Sequence, residues 1–563
     1  MTQHSGAPTL MIQGTASGVG KSAMVAALCR LLRREGLRVA PFKAQNMSNN
    51  AAVCADGGEI GRAQAAQAEA AGVAPSVDMN PILLKPEGDA RSQVVVRGRV
   101  WRRLTAREYH AAKPELLGVV AESLARLRAS HDVVLIEGAG SPAEVNLRDG
   151  DLVNMAVARL ADAPVLLVAD IDRGGVFAAL VGTLALLEPA DRGRVAGLLI
   201  NRFRGDRALL EPGLTFLAER TGCPVLGVVP YLRDLRLPEE DSLGLDRRSA
   251  GSGPPPSPFP GGEGVGRAQS SSPPGGEGGQ VEIVVVRLPR IANFDDFAPL
   301  QAEPGVRLRY VAAPDELGVP DLLILPGSKS TLADLAWLRV SGLGAALLRL
   351  SAAGVPILGI CGGFQMLGTE LDDPDGVEAE AGARAGLGLL AVRTVFAADK
   401  ATRQVRGEIS AADGFFGCLA GLPLDGYEIH LGRTTSALRA FARIRPTPPA
   451  PLPLWEGGAD GDEKAGVAPR VLPGEGRPGD AGLLPDGAVS LDGLVAGTYV
   501  HGLFHNDAIR TTLVGALARR RGIVLRGAAR AEDPYDRLAD AVAAHVDLAR
   551  VFALCRVPAR GRA

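Results

Sequence analysis

The run "MIQGTASGVGKSAMVAALCR" (11–30) leaves this chain few folds to choose from. An apolar strand, a glycine-bearing loop ending in Gly-Lys-Ser and an amphipathic helix follow one another directly. Backbone N–H groups of such a loop, with those of the helix start, point at phosphate oxygens. Gly14, Thr15 and Gly20 shape the loop, Lys21 reaches the β/γ-phosphates of ATP, and the Ser22 hydroxyl ligates Mg2+. The strict pattern GxxxxGK[ST] puts glycine at position 15, whereas this chain has Thr15, with Gly14 one place earlier. A chance Gly-Lys-Ser in a turn would lack the flanking strand and helix. ATP binding is therefore the reading taken.

Up to residue 245, short apolar strands alternate with helices: "TLMIQG", "LRVAPF", "DVVLIEG", "PVLLVAD", "VAGLLIN" and "CPVLGVVP". That order predicts a parallel, doubly wound α/β sheet. After residue 280 the pattern restarts with "VEIVVVRL", "DLLILPG" and "PILGI". The expected fold class is thus α/β with two doubly wound domains. The predicted boundaries are 1–245 for the phosphate-loop domain, 246–280 for a Pro/Gly/Ser linker, 281–525 for the second domain and 526–563 for a helical tail. The second domain carries a low-complexity insertion at about 446–485. Both Pro/Gly-rich stretches have too little to bury for a packed core and are expected to be disordered.

Composition narrows the class of function. A net charge of −2 gives no excess of basic residues to hold nucleic acid or an anionic membrane. Six cysteines (29, 54, 223, 361, 418 and 555) are scattered without metal-like spacing and suit a reducing cytoplasm. No apolar stretch reaches the roughly 18–20 residues that a membrane helix needs, and the N-terminus shows no signal-peptide pattern. A cytoplasmic location is the expectation.

A metal-bound nucleotide calls for a carboxylate at a strand end, where ligands bind in open α/β sheets. "VVLIEGAG" offers Glu137, followed by Gly-Ala-Gly, which lets a ligand approach closely. "VLLVADIDRGG" offers Asp170 and Asp172, which helix capping explains equally well. Glu137 is preferred as the second Mg2+ ligand. The loop form GTxSxxGKS resembles the dethiobiotin synthetase branch of phosphate-loop proteins, which phosphorylate carboxylates. That resemblance implies an adenine contact from Asn201, at the end of "GLLIN".

In "ILGICGGFQMLG" (357–368), Cys361 stands at the corner between a buried strand and a helix start, followed by Gly362 and Gly363. The positive end of the helix favours the thiolate. A packed, inert thiol is the alternative that these residues alone leave open. A nucleophile needs a base. His4, His110, His131 and His545 read as surface residues, leaving His430 in "GYEIHLG" and His501 and His505 in "GTYVHGLFHND". His501 ends a strand beside a glycine, a position that presents its ring to a cleft. Oxyanion donors would come from the turn at Gly327 in "LILPGSKST" and from the Gly362 N–H.

These parts together resemble the class I glutamine amidotransferases, in the branch of the cobyric acid synthases and cobyrinic acid a,c-diamide synthases. The resemblance covers nearly the whole chain outside the two Pro/Gly-rich stretches and includes "FKAQNMSNN" (42–50), "EIGRAQAAQAEA" (59–70), "EGAGSPAEVNL" (137–147), "RLPRIANFDDF" (287–297) and "GYEIHLGRT" (426–434). It implies Cys361 as the nucleophile that attacks glutamine and His501 as its base. Most class I glutaminases have a glutamate two residues after that histidine. Here the position is Leu503, and the third member of the site is unassigned.

The resemblance further implies a two-site ligase that uses glutamine as ammonia donor, with ATP and Mg2+ at the other site. Its substrate would be a corrinoid, adenosylcobyrinic acid a,c-diamide, amidated on carboxylates b, d, e and g. "FKAQNMSNN" is expected to hydrogen-bond the corrin edges, with Lys43 and Lys85 neutralising substrate carboxylates. Two other readings are carried: the a,c-diamide synthase, and a phosphate-loop switch ATPase with a non-catalytic glutaminase-like domain.

Overall fold

All six apolar runs read before residue 231 form strands, and they lie in one parallel sheet. Its order is Val225–Pro230, Val195–Phe203, Val165–Asp170, Thr9–Gly14, Val133–Glu137 and Val39–Phe42. Helices cover both faces of parallel strands, which is why these runs are apolar throughout instead of alternating. The computed structural model describes residues 6–87, 91–233, 235, 237, 279–411, 413–447, 482–525 and 532–556. Most of the expected linker (246–278) and insertion (448–481) lies outside the described residues.

The described residues form two compact units. The first is built chiefly from residues before 234, together with 532–556. The tail, read from sequence only as helical, is part of this unit's core. Its helices Pro534–His545 and Leu548–Leu554 bring Tyr535, Leu538, Val542 and Phe552 into the hydrophobic cluster under the helix Lys21–Arg34. Arg30 and Arg34 of that helix pair with Asp533, Asp536 and Asp540. A second, four-stranded sheet was not read from the sequence: Gln45–Met47, Ile82–Pro86, Arg91–Val96 and Arg99–Thr105. It leads into the long helix Ala106–Ser130, which a Thr105–Glu108 capping box starts.

The second unit is again a sheet with parallel strands at its centre, ordered Val306–Val311, Val281–Val286, Leu322–Leu325, Ile357–Ile360 and Val495–Thr498. Ala488–Val489 joins its edge antiparallel. Beside it runs a mixed sheet whose main feature is the long antiparallel pair Val392–Ile409 and Pro423–Ser436. In both units the residues singled out for chemistry sit at the C-terminal ends of central parallel strands, where open α/β sheets bind ligands. Among the described residues, no single helix is long and apolar enough to cross a membrane.

Candidate functional site

In the first unit, the loop between Thr9–Gly14 and Lys21–Arg34 closes around its own lysine. Lys21 Nζ donates to the carbonyls of Ala16 (2.9 Å) and Gly140 (3.0 Å), so the ammonium is folded over the cradle that a phosphate would fill. Gly20 has φ +104°, and a Cβ there would stand 2.1 Å from Asn201 Nδ2. Only glycine fits this corner. The Asn201 amide instead donates to Val19 O at 2.9 Å, so the residue expected at adenine clasps the loop backbone.

Ser22 and Glu137 meet, although 115 residues separate them in sequence: Ser22 Oγ donates to Glu137 Oε1 at 2.9 Å. Lys43 Nζ lies 3.0 Å from the same carboxylate oxygen, and Gln67 Nε2 donates to Oε2 at 2.5 Å. Burial opposes a charge on Glu137. The Lys43 ammonium and the hydrogen bonds from Gln67 and Ser22 outweigh it and hold the carboxyl below the usual carboxylate range. An ionised carboxylate beside a hydroxyl suits Mg2+, a hard ion that keeps waters and phosphate oxygens for most of its shell. The competing acids are engaged elsewhere: Asp170 pairs with Arg202 at 2.6 Å and Asp172 with Arg204 at 2.9 Å.

Two expectations need correcting. Lys43 and Lys85 are not surface cations waiting for a substrate. Lys43 is buried against Glu137, and Lys85 is buried in an ion pair with Glu59. The polar run 43–50 is likewise mostly buried. Asn46 Nδ2 donates to Gln64 Oε1 at 2.9 Å, and Gln45 Oε1 accepts from Tyr109 Oη at 2.6 Å. Gln67 was missed from the sequence. It lies on the same face of the helix Arg62–Ala71 as Gln64, a spacing visible in "QAAQ", but nothing in that pattern pointed to Glu137.

In the second unit, Cys361 occupies a strained corner, with φ +51° and ψ −110° between the strand Ile357–Ile360 and the helix Gly362–Leu367. A non-glycine residue held there is a backbone cost concentrated at the site, as in other nucleophile elbows. A Cβ on Gly362 would come within 3.0 Å of the Ser328 nitrogen, so the amides of the two turns share one small space. Gly327 itself faces the histidine: a Cβ on it would stand 3.2 Å from His501 Cε1 and 3.8 Å from Cys361 Cβ. The thiol also approaches Ile429 O, at 3.6 Å.

The histidine brought to the thiol is His501: a Cβ on Gly327 would touch both its ring and the Cys361 side chain. His501 Nδ1 lies 2.7 Å from Asp296 Oδ2, and Asp296 Oδ1 accepts from the Gly502 N–H at 2.9 Å. Tyr427 stacks on the imidazole, with ring centroids 5.3 Å apart. Burial disfavours the imidazolium, but Asp296 and the Cys361 thiolate together push the pKa up to about 10. His430 lies one residue past Ile429 but stacks on Tyr499 and approaches Gly432 O with its Nδ1. Leu503, where most class I glutaminases have glutamate, is buried in the core. The carboxylate that faces His501 Nδ1 is Asp296. The arrangement can form a thiolate, hold a proton beside it and present backbone donors to an oxyanion.

With this geometry in place, comparisons with known proteins agree for both units. Residues 10–244 match the family described as the CobQ/CobB/MinD/ParA nucleotide binding domain, and residues 282–447 the CobB/CobQ-like glutamine amidotransferase domain. The chain is 51% identical to the cobyric acid synthase of Sorangium cellulosum (strain So ce56), over 96% of this chain and 97% of that one. It is 48% identical to the cobyric acid synthase of Pelotomaculum thermopropionicum, over 98% and 97%. That of Moorella thermoacetica is also 48% identical, over 97% of each chain.

Proposed function

This chain belongs to the cobyric acid synthase family, a family of ATP-dependent, glutamine-using ligases of cobalamin biosynthesis, and on that premise we propose how its residues divide the work and which corrinoid carboxylates they serve. Cys361 attacks the side-chain amide carbon of glutamine as the thiolate. The Gly362 N–H and the 327–328 turn receive the oxyanion, and His501 gives its proton to the departing ammonia. Water then cleaves the thioester, with His501 taking the proton back, and glutamate leaves. Asp296 holds the imidazole in the tautomer and orientation that both steps need.

At the phosphate loop, Lys21 leaves its carbonyl partners for the β/γ-phosphates of ATP, and loop N–H groups bind the remaining oxygens. Ser22 and Glu137 would hold Mg2+, which supplies charge neutralisation on the phosphates. Lys43 and Gln67 keep Glu137 ionised and in place. Asn201 fixes the loop through Val19. The γ-phosphoryl passes to a substrate carboxylate oxygen. Ammonia displaces phosphate from the resulting acyl phosphate, leaving an amide. A carboxylate is a poor electrophile until it is phosphorylated, and only unprotonated ammonia attacks, so release in sheltered sites suits both halves.

The substrate in this reading is adenosylcobyrinic acid a,c-diamide, amidated on carboxylates b, d, e and g. The observation that carries the reading is the 2.7 Å contact between His501 and Asp296. It supports a nucleophile–base–orienter reading in a chain whose phosphate loop also has a carboxylate against Ser22. A switch ATPase with a non-catalytic second domain would have no use for that set. Near-half identity over the full length to cobyric acid synthases favours that activity over a,c-diamide synthesis. The test is mass spectrometry of the corrinoid after incubation with ATP, Mg2+ and glutamine. With the a,c-diamide as substrate, four successive replacements of OH by NH2 are expected; none on the a,c-diamide, with two on cobyrinic acid itself, would point to the a,c-diamide synthase.

A further inference from the structure

Three segments of the first unit are linked to one another, one of them starting at the phosphate loop, and their exposed side chains have no task in the mechanism above. The loop after Glu137 starts at the cradle, where Gly140 O accepts from Lys21, and runs out to Gly150. A Cβ on Gly150 would stand 3.4 Å from Lys113 and 3.5 Å from His110, so the loop ends against the first turns of the helix Ala106–Ser130. That helix is tied to the strand Gln45–Met47 by the bond from Tyr109 Oη to Gln45. Met47 shares a face of the strand with Gln45 and lies four residues beyond Lys43. Chain of that length reaches at most about 13 Å from the carboxylate site.

The side chains presented here combine apolar and basic groups. Met47, Val145 and Leu147 are 53%, 56% and 52% exposed. Arg107, His110 and Lys113 follow at i, i+3 and i+6 on the helix, a spacing that lines them along one side. Among the described residues none of these three has an ion-pair or hydrogen-bond partner. Arg107 lies in the first helical turn, where a cation works against the helix macrodipole. Exposed apolar side chains flanked by the unpaired cations Arg107 and Lys113, with His110 between them, fit a flat apolar ligand with anionic edges.

We propose that this surface, Met47, Val145 and Leu147 with the Arg107–His110–Lys113 row, is where the corrin macrocycle docks. Its methyl-rich ring lies on the apolar residues, and carboxylates not yet amidated face the cations. The inference rests on the corrinoid reading above and adds the residues that select the substrate. One edge of the ring would then reach Glu137 while the opposite edge is held. Turning the ring would offer successive carboxylates to the same acyl-phosphate site.

The test is equilibrium dialysis of cobyrinic acid a,c-diamide against the full-length protein, with steady-state KM for corrinoid, ATP and glutamine. Leu147→Gln, and separately Arg107→Glu with Lys113→Glu, should raise the corrinoid Kd and KM roughly tenfold or more, as expected for loss of apolar or charge-assisted contact. KM for ATP and the glutaminase rate should not change, and Lys113→Arg should retain corrinoid binding. Leu147 and Arg107 are exposed and Lys113 is half-buried, and an unchanged melting temperature separates docking from folding. If the parent protein binds and amidates the corrinoid while the variants keep its Kd and KM, the corrin docks elsewhere. If the parent binds no corrinoid and makes no amide, the substrate reading itself fails.

Discussion

His501 Nδ1 and Asp296 Oδ2 lie 2.7 Å apart although 205 residues separate them. The contact gives the second unit an acid–base pair that its local motif lacks. Asp296→Asn should lower glutamine-dependent amidation by at least about 10²-fold, the range of a lost general acid–base contribution, and leave synthesis from ammonium salts intact. The pH profile carries a second signature. Asp296 raises the His501 pKa, so the imidazolium–thiolate pair is lost only as pH rises through about 10. Removing the Asp296 charge lowers that limit, and the basic limb of kcat/KM should move to lower pH. An unmoved limb would show that Asp296 does not set the histidine.

Lys21→Ala tests the phosphate loop. Lys21 Nζ donates to the backbone carbonyls of Ala16 and Gly140, on the cradle itself. Amidation from glutamine or from ammonia should vanish, because both need the acyl phosphate. Glutamine hydrolysis should persist. Retained amide synthesis at saturating ATP would remove Lys21 from the site.

Glu137→Gln removes the charge partner of buried Lys43. Breaking one half of a buried pair typically costs about 3–5 kcal/mol, so chemical denaturation should show a loss of that order. The double variant with Lys43→Met should recover much of it. Neither variant should carry out ATP-dependent amidation. A Glu137→Gln protein as stable as the parent would mean that the pair contributes little to the fold.

Asp486 provides a pH test of stability in the second unit. It is buried, accepts from Thr498 Oγ1 and from the Tyr499 N–H, and burial with nearby Glu428 raises its pKa to about 7. Unfolded, it would titrate near 4. Between those values the folded state holds a proton that the unfolded state has released, so stability falls as pH rises from about 4 to about 7. Glu378, also raised to about 7 mainly by burial, acts with the same sign. Asp486→Asn should therefore melt higher than the parent above pH 7, and the difference should shrink toward pH 4. A constant difference across that range would contradict the assignment.

What the sequence made legible was what chain-local chemistry dictates. Apolar runs became the parallel strands, and Gly-Lys-Ser became a loop between strand and helix. Glu137 was placed beside Ser22 because a strand end in such a sheet points at the ligand. Cys361 at a two-glycine corner took the strained conformation its neighbours allow. What stayed hidden depends on partners brought in from afar. Asp296 was hidden because it reaches His501 from 205 residues away, and position 503, where the wider class carries its acid, is a leucine. Lys43 and Lys85 look like any lysines until the fold buries Glu137 and Glu59 against them. The tail's apolar stripe of Tyr535, Leu538 and Val542 is periodic, but its partner, the helix Lys21–Arg34, lies at the other end of the chain, and periodicity does not name it.

The central claim is that two chemistries share one chain, and the nitrogen source separates them. The decisive measurement is corrinoid amide formation by Cys361→Ser protein with ATP and Mg2+, comparing glutamine with an ammonium salt at a pH that supplies free ammonia. Serine keeps the corner's shape but not a thiolate at neutral pH, so the fold should be spared. The account predicts no product from glutamine and the parental series of amides from ammonia. Parental synthesis from glutamine would show that Cys361 is only a structural thiol, and loss of both activities in folded protein would place it outside the glutaminase step.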